Sequence, residues 1–447
     1  DLIPQVARPD LARNLAVGAP DQVPFAVLEN GFDKVVGDAD RVVGILPGNG
    51  EIGFGIPIRV VFGKIDFGVS LAGELYHPLY AVIRDHGLAA VDDGFFQGRV
   101  LFRIEAVFGL QTLDDFMALV SPAAAPYLEE MAAQSQQLTR HRFGNTMQLF
   151  VPLYLSNLCA NECSYCGFTM SNKIKRTTLS IAETQQEIQA IKGMGFSQLL
   201  LVTGEHETKV GMPYFEQTLQ AIRAEISYLM MEVQPLKQSD YQRLKCLGLD
   251  AVLVYQETYS PQHYARYHTR GKKQDFLWRL EATDRIGRAG IDKIGIGALL
   301  GLGDWRVDSV MTALHGQLLQ QHYWRSRVSI SFPRLRQCEG NSHNTQASQS
   351  TLPNEKQLLQ LICAHRLFNP HVELSLSTRE SAAFRDGAMT LGVTSMSAAS
   401  QTQPGGYTQP STALNQFDID DSRPVSMVVS AIQQQGLEPV WKDWMPF

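Results

Sequence analysis

Gln148-Leu-Phe-Val-Pro-Leu-Tyr-Leu-Ser-Asn-Leu-Cys-Ala-Asn-Glu-Cys-Ser-Tyr-Cys-Gly-Phe168 begins as an apolar run and ends on three closely spaced cysteines. The run, near 148–155, reads as a strand with both faces buried. Seven further apolar runs with β-branched residues follow near 198–203, 229–234, 251–256, 293–300, 327–332, 372–377 and 393–397. Polar stretches of helical character separate most of them. In one, Ser180 to Gly193, Ser180 and Glu183 have the spacing of a capping box, and Gly193 or Gly195 can end the helix. Eight strands alternating with helices predict an α/β fold, a parallel (β/α)8 TIM-type barrel with its active site at the C-terminal strand ends. Those ends are polar. They carry the cysteines, then Thr203-Gly204-Glu205-His206, Glu232 and Gln234, Gln256-Glu257-Thr258-Tyr259, Arg334 and Arg336, Ser377-Thr378-Arg379-Glu380, and Ser395 to Ser400.

The whole chain has 447 residues, 44% of them hydrophobic and 19% charged, with a formal net charge of −6. A sizeable core is therefore affordable by size, and the acidic balance speaks against a general nucleic-acid or anionic-membrane surface. No apolar stretch reaches the roughly 18 residues of a membrane helix, and the first residues lack the pattern of a signal peptide; the expected location is the cytoplasm. Residues 1–107 differ in texture. Lysine occurs there only at Lys34 and Lys64, and no methionine precedes Met117, so the head reads as a fragment or as translated from outside the true start. It carries no ligand spacing, phosphate loop or acid–base pair, and is expected to be functionally silent. The expected division is the head at 1–107, a helical extension at 108–145, the barrel at 146–400, and an extension at 401–447 that closes it.

The six cysteines are unevenly placed: none precedes Cys159, and Cys246, Cys338 and Cys363 are scattered singly. A disulfide framework would be denser. Structural zinc would need a fourth ligand, usually from a second pair, and none follows. Three thiolates from Cys159, Cys163 and Cys166 would leave one iron of a 4Fe–4S cluster, ordinarily held by four, open to an outside ligand. This spacing, with Tyr165 before the last cysteine, resembles the signature of the radical S-adenosylmethionine (SAM) enzymes.

In that superfamily the open iron chelates SAM, and an electron passed through the cluster cleaves the sulfonium to methionine and a 5′-deoxyadenosyl radical. The resemblance implies Cys159, Cys163 and Cys166 as cluster ligands, and Tyr165, Phe168, Glu205, Glu232 and Gln234 as SAM contacts. Thr203-Gly204-Glu205 looks like the superfamily's Gly-Gly-Glu stretch with its first glycine replaced. Gly295-Ile-Gly297 either admits adenine close to the backbone or serves tight strand packing.

The motifs narrow the resemblance further. Tyr154 to Phe168, Leu201 to His206, Met231 to Leu236, Val254 to Tyr259, Ser331 to Arg336, Ser375 to Glu380 and Gln403 to Tyr407 together resemble the tyrosine lyases, the 2-iminoacetate synthases of bacterial thiazole biosynthesis. The match runs from about residue 108 to the C-terminus. It implies cleavage of the Cα–Cβ bond of L-tyrosine to 2-iminoacetate (dehydroglycine) and p-cresol, with thiazole synthase as the receiving partner. By analogy with related aromatic amino acid lyases, Arg379 and Ser397 would clamp the carboxylate and Tyr154 would line the same pocket. Arg334 and Arg336 are second choices for the cation, or seal the barrel by pairing with acidic residues. His206 is either a proton carrier or a structural loop histidine, and Cys246 and Cys363 read as core residues. Lys173-Ile-Lys175-Arg176 is a solvated face or a dock for a flavodoxin or ferredoxin-type electron donor. Three rivals remain: a tryptophan lyase on the same barrel, a non-catalytic iron–sulfur protein, and a hydrogenase-maturation tyrosine lyase. The last needs a second cysteine set, and no cysteine follows Cys363.

Overall fold

Each of the eight apolar runs becomes a strand of one closed, wholly parallel barrel in the computed structural model, which describes residues 112–336, 352–408 and 415–441. The strands are β1 (Thr146–Ser156), β2 (Gln198–Thr203), β3 (Tyr228–Glu232), β4 (Ala251–Leu253), β5 (Lys293–Gly297), β6 (Arg327–Ser331), β7 (Glu373–Leu376) and β8 (Ser395–Ser397). Neighbours in sequence are neighbours in the sheet, and β8 returns to β1 with Gln148 opposite Ser395, which closes the ring. Residues 1–107, with Gln337 and Cys338, lie outside the described residues.

Burial on both faces explains why the strands lack a polar alternation. Tyr154, Leu200, Val202, Tyr228, Met230, Ala251 and Leu253 share one interior cluster. Leu153, Leu155, Leu199, Leu201, Leu229, Met231 and Val252 belong to a second, which includes residues of the surrounding helices. The interior row Tyr228, Met230 continues by alternation to Glu232, which places a carboxylate at the top of the barrel.

Before the barrel the described residues form two helices with an interruption between them. Leu113–Val120 (α1) and Leu128–Phe143 (α2) are separated by a tighter 3-10 segment, Pro122–Tyr127. Pro122 and Pro126 lack the amide hydrogen that a continuous helix would need. Helix α3 (Ile181–Gly193) begins as expected, with Ser180 and Glu183 capping each other reciprocally, and Gly195 follows at φ +96°. Beyond β8, the Gln403 to Tyr407 motif lies against the barrel wall. The Tyr407 amide donates to Glu187 of α3 at 2.9 Å and its hydroxyl to the Pro152 carbonyl of β1 at 2.7 Å. Later, Glu438–Val440 adds a parallel strand (β9) beside the start of β1. Cys363 is buried as expected, but Cys246, the last residue of helix Gln238–Cys246, is exposed. Among the described residues no helix is long and apolar enough to cross a membrane.

Candidate active site at the C-terminal end of the barrel

Thiols, carboxylates and cations meet where the strands end. Cys159, Cys163 and Cys166 line one hollow together with Thr203, Glu205, Glu232, Glu257, Lys273, Arg279 and Arg379, with an empty volume of about 880 Å³ that includes its open mouth. A second hollow continues inside the barrel between Phe150, Pro152, Tyr154, Leu200, Phe332 and a set of serines including Ser397. The two share Val202, Glu232, Tyr255, Pro333, Arg379 and Phe417, so a molecule in one abuts a molecule in the other.

The cysteine loop is held from both ends. Arg176 donates to the carbonyls of Asn157 (2.8 Å), Phe168 (2.9 Å), Thr169 (2.7 Å) and Asn172 (3.1 Å), residues that bracket the three cysteines. The basic run is thus not uniform: Lys173 and Lys175 are exposed, whereas Arg176 is a staple. Cys163 lies in a short antiparallel pair, Glu162–Cys163 with His268–Arg270. His268 Nδ1 lies 2.7 Å from the Tyr264 carbonyl, which requires the proton there, so Nε2 accepts from the Tyr165 hydroxyl at 2.8 Å. Tyr165 therefore supports the loop while lining the hollow. Phe168 also lines it, edge-on to Tyr154 with ring centroids 5.9 Å apart.

This donor set fits an iron–sulfur cluster better than a single ion. Among the described residues no group of three His, Cys, Asp or Glu side chains could hold one metal ion. Yet the three thiols line one cavity, as a larger inorganic core with one iron per thiolate requires. Burial pushes the Cys159 thiol up to about 11 and Cys163 well above the usual thiol range, so bound iron would have to displace those protons. The adjoining walls suit SAM. Among the described residues Thr203 Oγ1 is buried with no hydrogen-bond partner, and a side chain at Gly204 would strike the Leu158 carbonyl, so the backbone is packed tightly beside the cysteine loop.

Glu205 is locked by Asn161 of the cysteine loop and by Arg279, which lies outside the motifs. Arg279 Nη1 donates to Glu205 Oε1 at 2.9 Å and Asn161 Nδ2 to Glu205 Oε2 at 2.7 Å. Arg279 Nη2 also reaches Glu257 Oε1 at 3.4 Å, to which Lys273 Nζ donates at 2.7 Å. Burial works to raise both carboxyls, but the two cations outweigh it, lowering Glu205 and holding Glu257 at about 2. Glu257 has φ 71°, a strained backbone for a residue with a side chain. Asp308 secures the next two residues: its Oδ1 accepts from the Thr258 hydroxyl at 3.0 Å and the Tyr259 amide at 2.7 Å. Lys273 and Arg279 have no fixed spacing to any motif; the one available signal was the apolar face of Phe276–Leu280, on which a buried arginine needs a partner.

Arg379 stands out electrostatically. It lines both hollows and makes no ion pair among the described residues; its guanidinium stacks 3.3 Å over the Phe417 ring. Burial lowers its pKa, against the pull of Tyr154 and Glu232. Arg334 and Arg336, by contrast, are both paired with buried Glu380, and Arg336 with Asp420 as well, at 2.8 Å. Ser397 lines the inner hollow and its Oγ accepts from the Thr378 amide at 3.1 Å. Tyr154 donates its hydroxyl to Gln416 Oε1 at 2.7 Å. Gln234 stands apart: β3 ends at Glu232, the alternation lapses, and the Gln234 amide donates to the Val210 carbonyl at 2.8 Å, away from both hollows. His206 lies in the loop after β2, beside Thr208 and 3.2 Å from its hydroxyl. At Gly295 and Gly297 an added Cβ would strike Leu253 at 2.4 Å and the Ser331 carbonyl at 2.7 Å, so both serve strand packing.

Two family models match the chain: the Radical SAM superfamily over residues 153–314, and the Biotin and Thiamin Synthesis associated domain over 331–438. Over 334 residues the chain is 59% identical to the 2-iminoacetate synthase of Escherichia coli (strain K12), covering 74% of this chain and 87% of that protein. It belongs to the 2-iminoacetate synthase family. The family member from Salmonella typhimurium is 58% identical over 332 residues, with the same coverage of 74% and 87%. Among solved structures, the FeFe-hydrogenase maturase HydG from Carboxydothermus hydrogenoformans aligns with a TM-score of 0.70 at 30% identity, covering 82% of each chain. Another HydG structure aligns with a TM-score of 0.74 at 26% identity, covering 83% of this chain and 81% of that one. A methylornithine synthase, at 20% identity and TM-score 0.62, shares the fold; the alignment covers 77% of this chain and 97% of that one.

In this 2-iminoacetate synthase family member, Glu232 gives the site a measurable pH signature. Burial, reinforced by Glu257, raises its carboxyl to about 7. Below that pH the ligand-free carboxyl holds its proton, and a bound ligand that donates to it or brings positive charge favours the ionised form. Binding of such a ligand between about pH 5 and 7 is therefore expected to release up to about one proton, with the release fading above 7. Calorimetry in buffers of different protonation enthalpy measures this, and Glu232→Gln should lose it.

Proposed function

We propose that this enzyme cleaves L-tyrosine in the inner hollow while the cysteine-lined hollow beside it holds a 4Fe–4S cluster and SAM. The continuity of the two hollows through Glu232, Tyr255 and Arg379 is the observation that carries the reading. Cys159, Cys163 and Cys166 would hold the cluster, and Thr203, Glu205 and Glu232 would face SAM. When bound, the cluster and SAM supply one-electron reduction and hydrogen-atom abstraction. The remaining work falls to the chain. Arg379, fork-shaped and without an ion pair among the described residues, takes the tyrosine carboxylate, with Ser397 beside it. Tyr154, whose proton is directed to Gln416, keeps a lone pair for the substrate ammonium. The apolar walls from Phe150, Leu200 and Phe332 receive the ring, and the serines offer partners to the phenol. Enclosure within the barrel excludes water from the reacting carbon.

The products are 2-iminoacetate and p-cresol; the hydrogen atom taken from tyrosine would leave in 5′-deoxyadenosine, and one further electron from the reductant with one proton would complete p-cresol. Because 2-iminoacetate hydrolyses readily, its use in thiazole assembly favours direct transfer to a thiazole synthase, the proposed partner. A flavodoxin or ferredoxin-type donor supplying electrons near exposed Lys173 and Lys175, in the cytoplasm, completes the proposal. Incubation under reducing, anaerobic conditions with tyrosine or tryptophan tests the substrate: tyrosine alone should be consumed, and preferential loss of tryptophan would favour the related lyase. The barrel and its two flanking extensions are proposed as the whole catalytic unit. Removing residues 1 to about 100 should leave tyrosine cleavage unchanged; a truncated protein that folds and loads its cluster but fails to turn over would assign the head a role.

A further inference from the structure

Gln416 bridges the two hollows. It comes from the C-terminal extension, where its amide donates to the Thr402 carbonyl at 3.1 Å and its own carbonyl accepts from the Gly167 amide, next to Cys166, at 3.0 Å. Its side chain is bonded at both ends. Oε1 accepts the Tyr154 hydroxyl at 2.7 Å, and Nε2 donates to Cys166 Sγ at 3.8 Å. The approach is close: a side chain at Gly167 would meet the Asn415 carbonyl at 2.5 Å and the Gln416 carbonyl at 2.9 Å. Gln416 is thus pinned by backbone on both sides while its amide spans a tyrosine of the inner hollow and a sulfur of the outer one.

We propose that Gln416 is a positioning residue that couples occupancy of the tyrosine pocket to the ease of reducing the cluster. The direction follows from the donors. A substrate ammonium donating to the Tyr154 oxygen makes that hydroxyl a stronger donor to Gln416 Oε1. Polarising the amide makes its N–H a stronger donor to Cys166 Sγ, since chains of hydrogen bonds reinforce one another. Electron density withdrawn from a cluster sulfur favours the reduced state, because hydrogen bonds to the sulfurs help to set the cluster's potential. Tyrosine therefore promotes the reduction that begins its own cleavage, and SAM is less readily consumed in its absence. By linkage, reduction tightens tyrosine binding by the same factor.

The inference rests on the assignment of the inner hollow to tyrosine, and its test separates the two. The midpoint potential of the reconstituted full-length enzyme, with the uncleavable S-adenosylhomocysteine in place of SAM so that no turnover occurs, is measured by electron paramagnetic resonance titration with and without tyrosine. In the wild type, tyrosine should favour reduction by about fivefold in the equilibrium. Gln416→Leu and Tyr154→Phe should each abolish that response while keeping iron and sulfide content. Tyr154→Phe leaves the Gln416 contacts to the loop in place, so it decides the matter if Gln416→Leu fails to load. A wild type that makes p-cresol without any tyrosine-dependent shift, or a Tyr154→Phe variant with the full shift, overturns the coupling. A wild type that shows neither shift nor p-cresol overturns the tyrosine assignment instead.

Discussion

Replacing Cys163 with alanine is expected to abolish both p-cresol and 5′-deoxyadenosine. Cys163 is the buried member of the three thiols, and its amide is tied to Thr169 Oγ1 at 2.9 Å, so the loop holds this sulfur from behind. Two remaining thiols from one loop cannot hold a four-iron core that already lacks a fourth protein ligand. The substitution removes one sulfur atom from a loop that Arg176 still staples through four carbonyls, so the barrel should fold with an unchanged circular dichroism spectrum. Iron and sulfide analysis after reconstitution should show loss of the cluster, and no reductant should restore turnover. Normal turnover by this variant would contradict the assignment of the cysteine loop.

Arg379→Met should be nearly as damaging to tyrosine cleavage but for a different reason. Truncating one partner of a buried charge pair costs on the order of 3 kcal/mol, roughly a hundredfold in kcat/KM for tyrosine. The variant should keep its cluster, because Arg379 donates to none of the three cysteines, and its longest polar contact is to the Arg334 carbonyl at 3.5 Å. Arg379→Lys retains the charge without the planar fork and should fall between the two. Steady-state kinetics with varied tyrosine reads the effect. An unchanged kcat/KM would move the carboxylate site elsewhere, with Arg336 the next cation on the hollow wall.

The barrel was legible because its signal is repeated. Eight apolar runs at similar intervals leave few alternatives, and burial on both faces explains why they lack a polar stripe. The cysteine loop was legible because its spacing is local. What the sequence concealed lies in contacts between distant segments. Lys273 and Arg279 meet Glu205 and Glu257 only because the short pair of Glu162–Cys163 with His268–Arg270 folds that stretch over the site. Gln416 and Phe417 reach the mouth from beyond the last barrel strand, with no periodicity to mark them. Gln234 illustrates the opposite failure: alternation predicted its direction beyond the point where the strand ends. Arg176 sat in a basic run that composition alone reads as solvent-facing, yet four carbonyls surround its guanidinium.

The molecule proposed to lie beside the cysteine loop in this barrel is tyrosine, and the bond proposed to break is its Cα–Cβ bond. The most direct measurement is anaerobic reconstitution with iron and sulfide, followed by turnover with SAM, reductant and tyrosine, with products quantified by chromatography. p-Cresol and 5′-deoxyadenosine should appear in matching amounts as tyrosine disappears. Deoxyadenosine without p-cresol, from enzyme with an intact cluster, would contradict this cleavage.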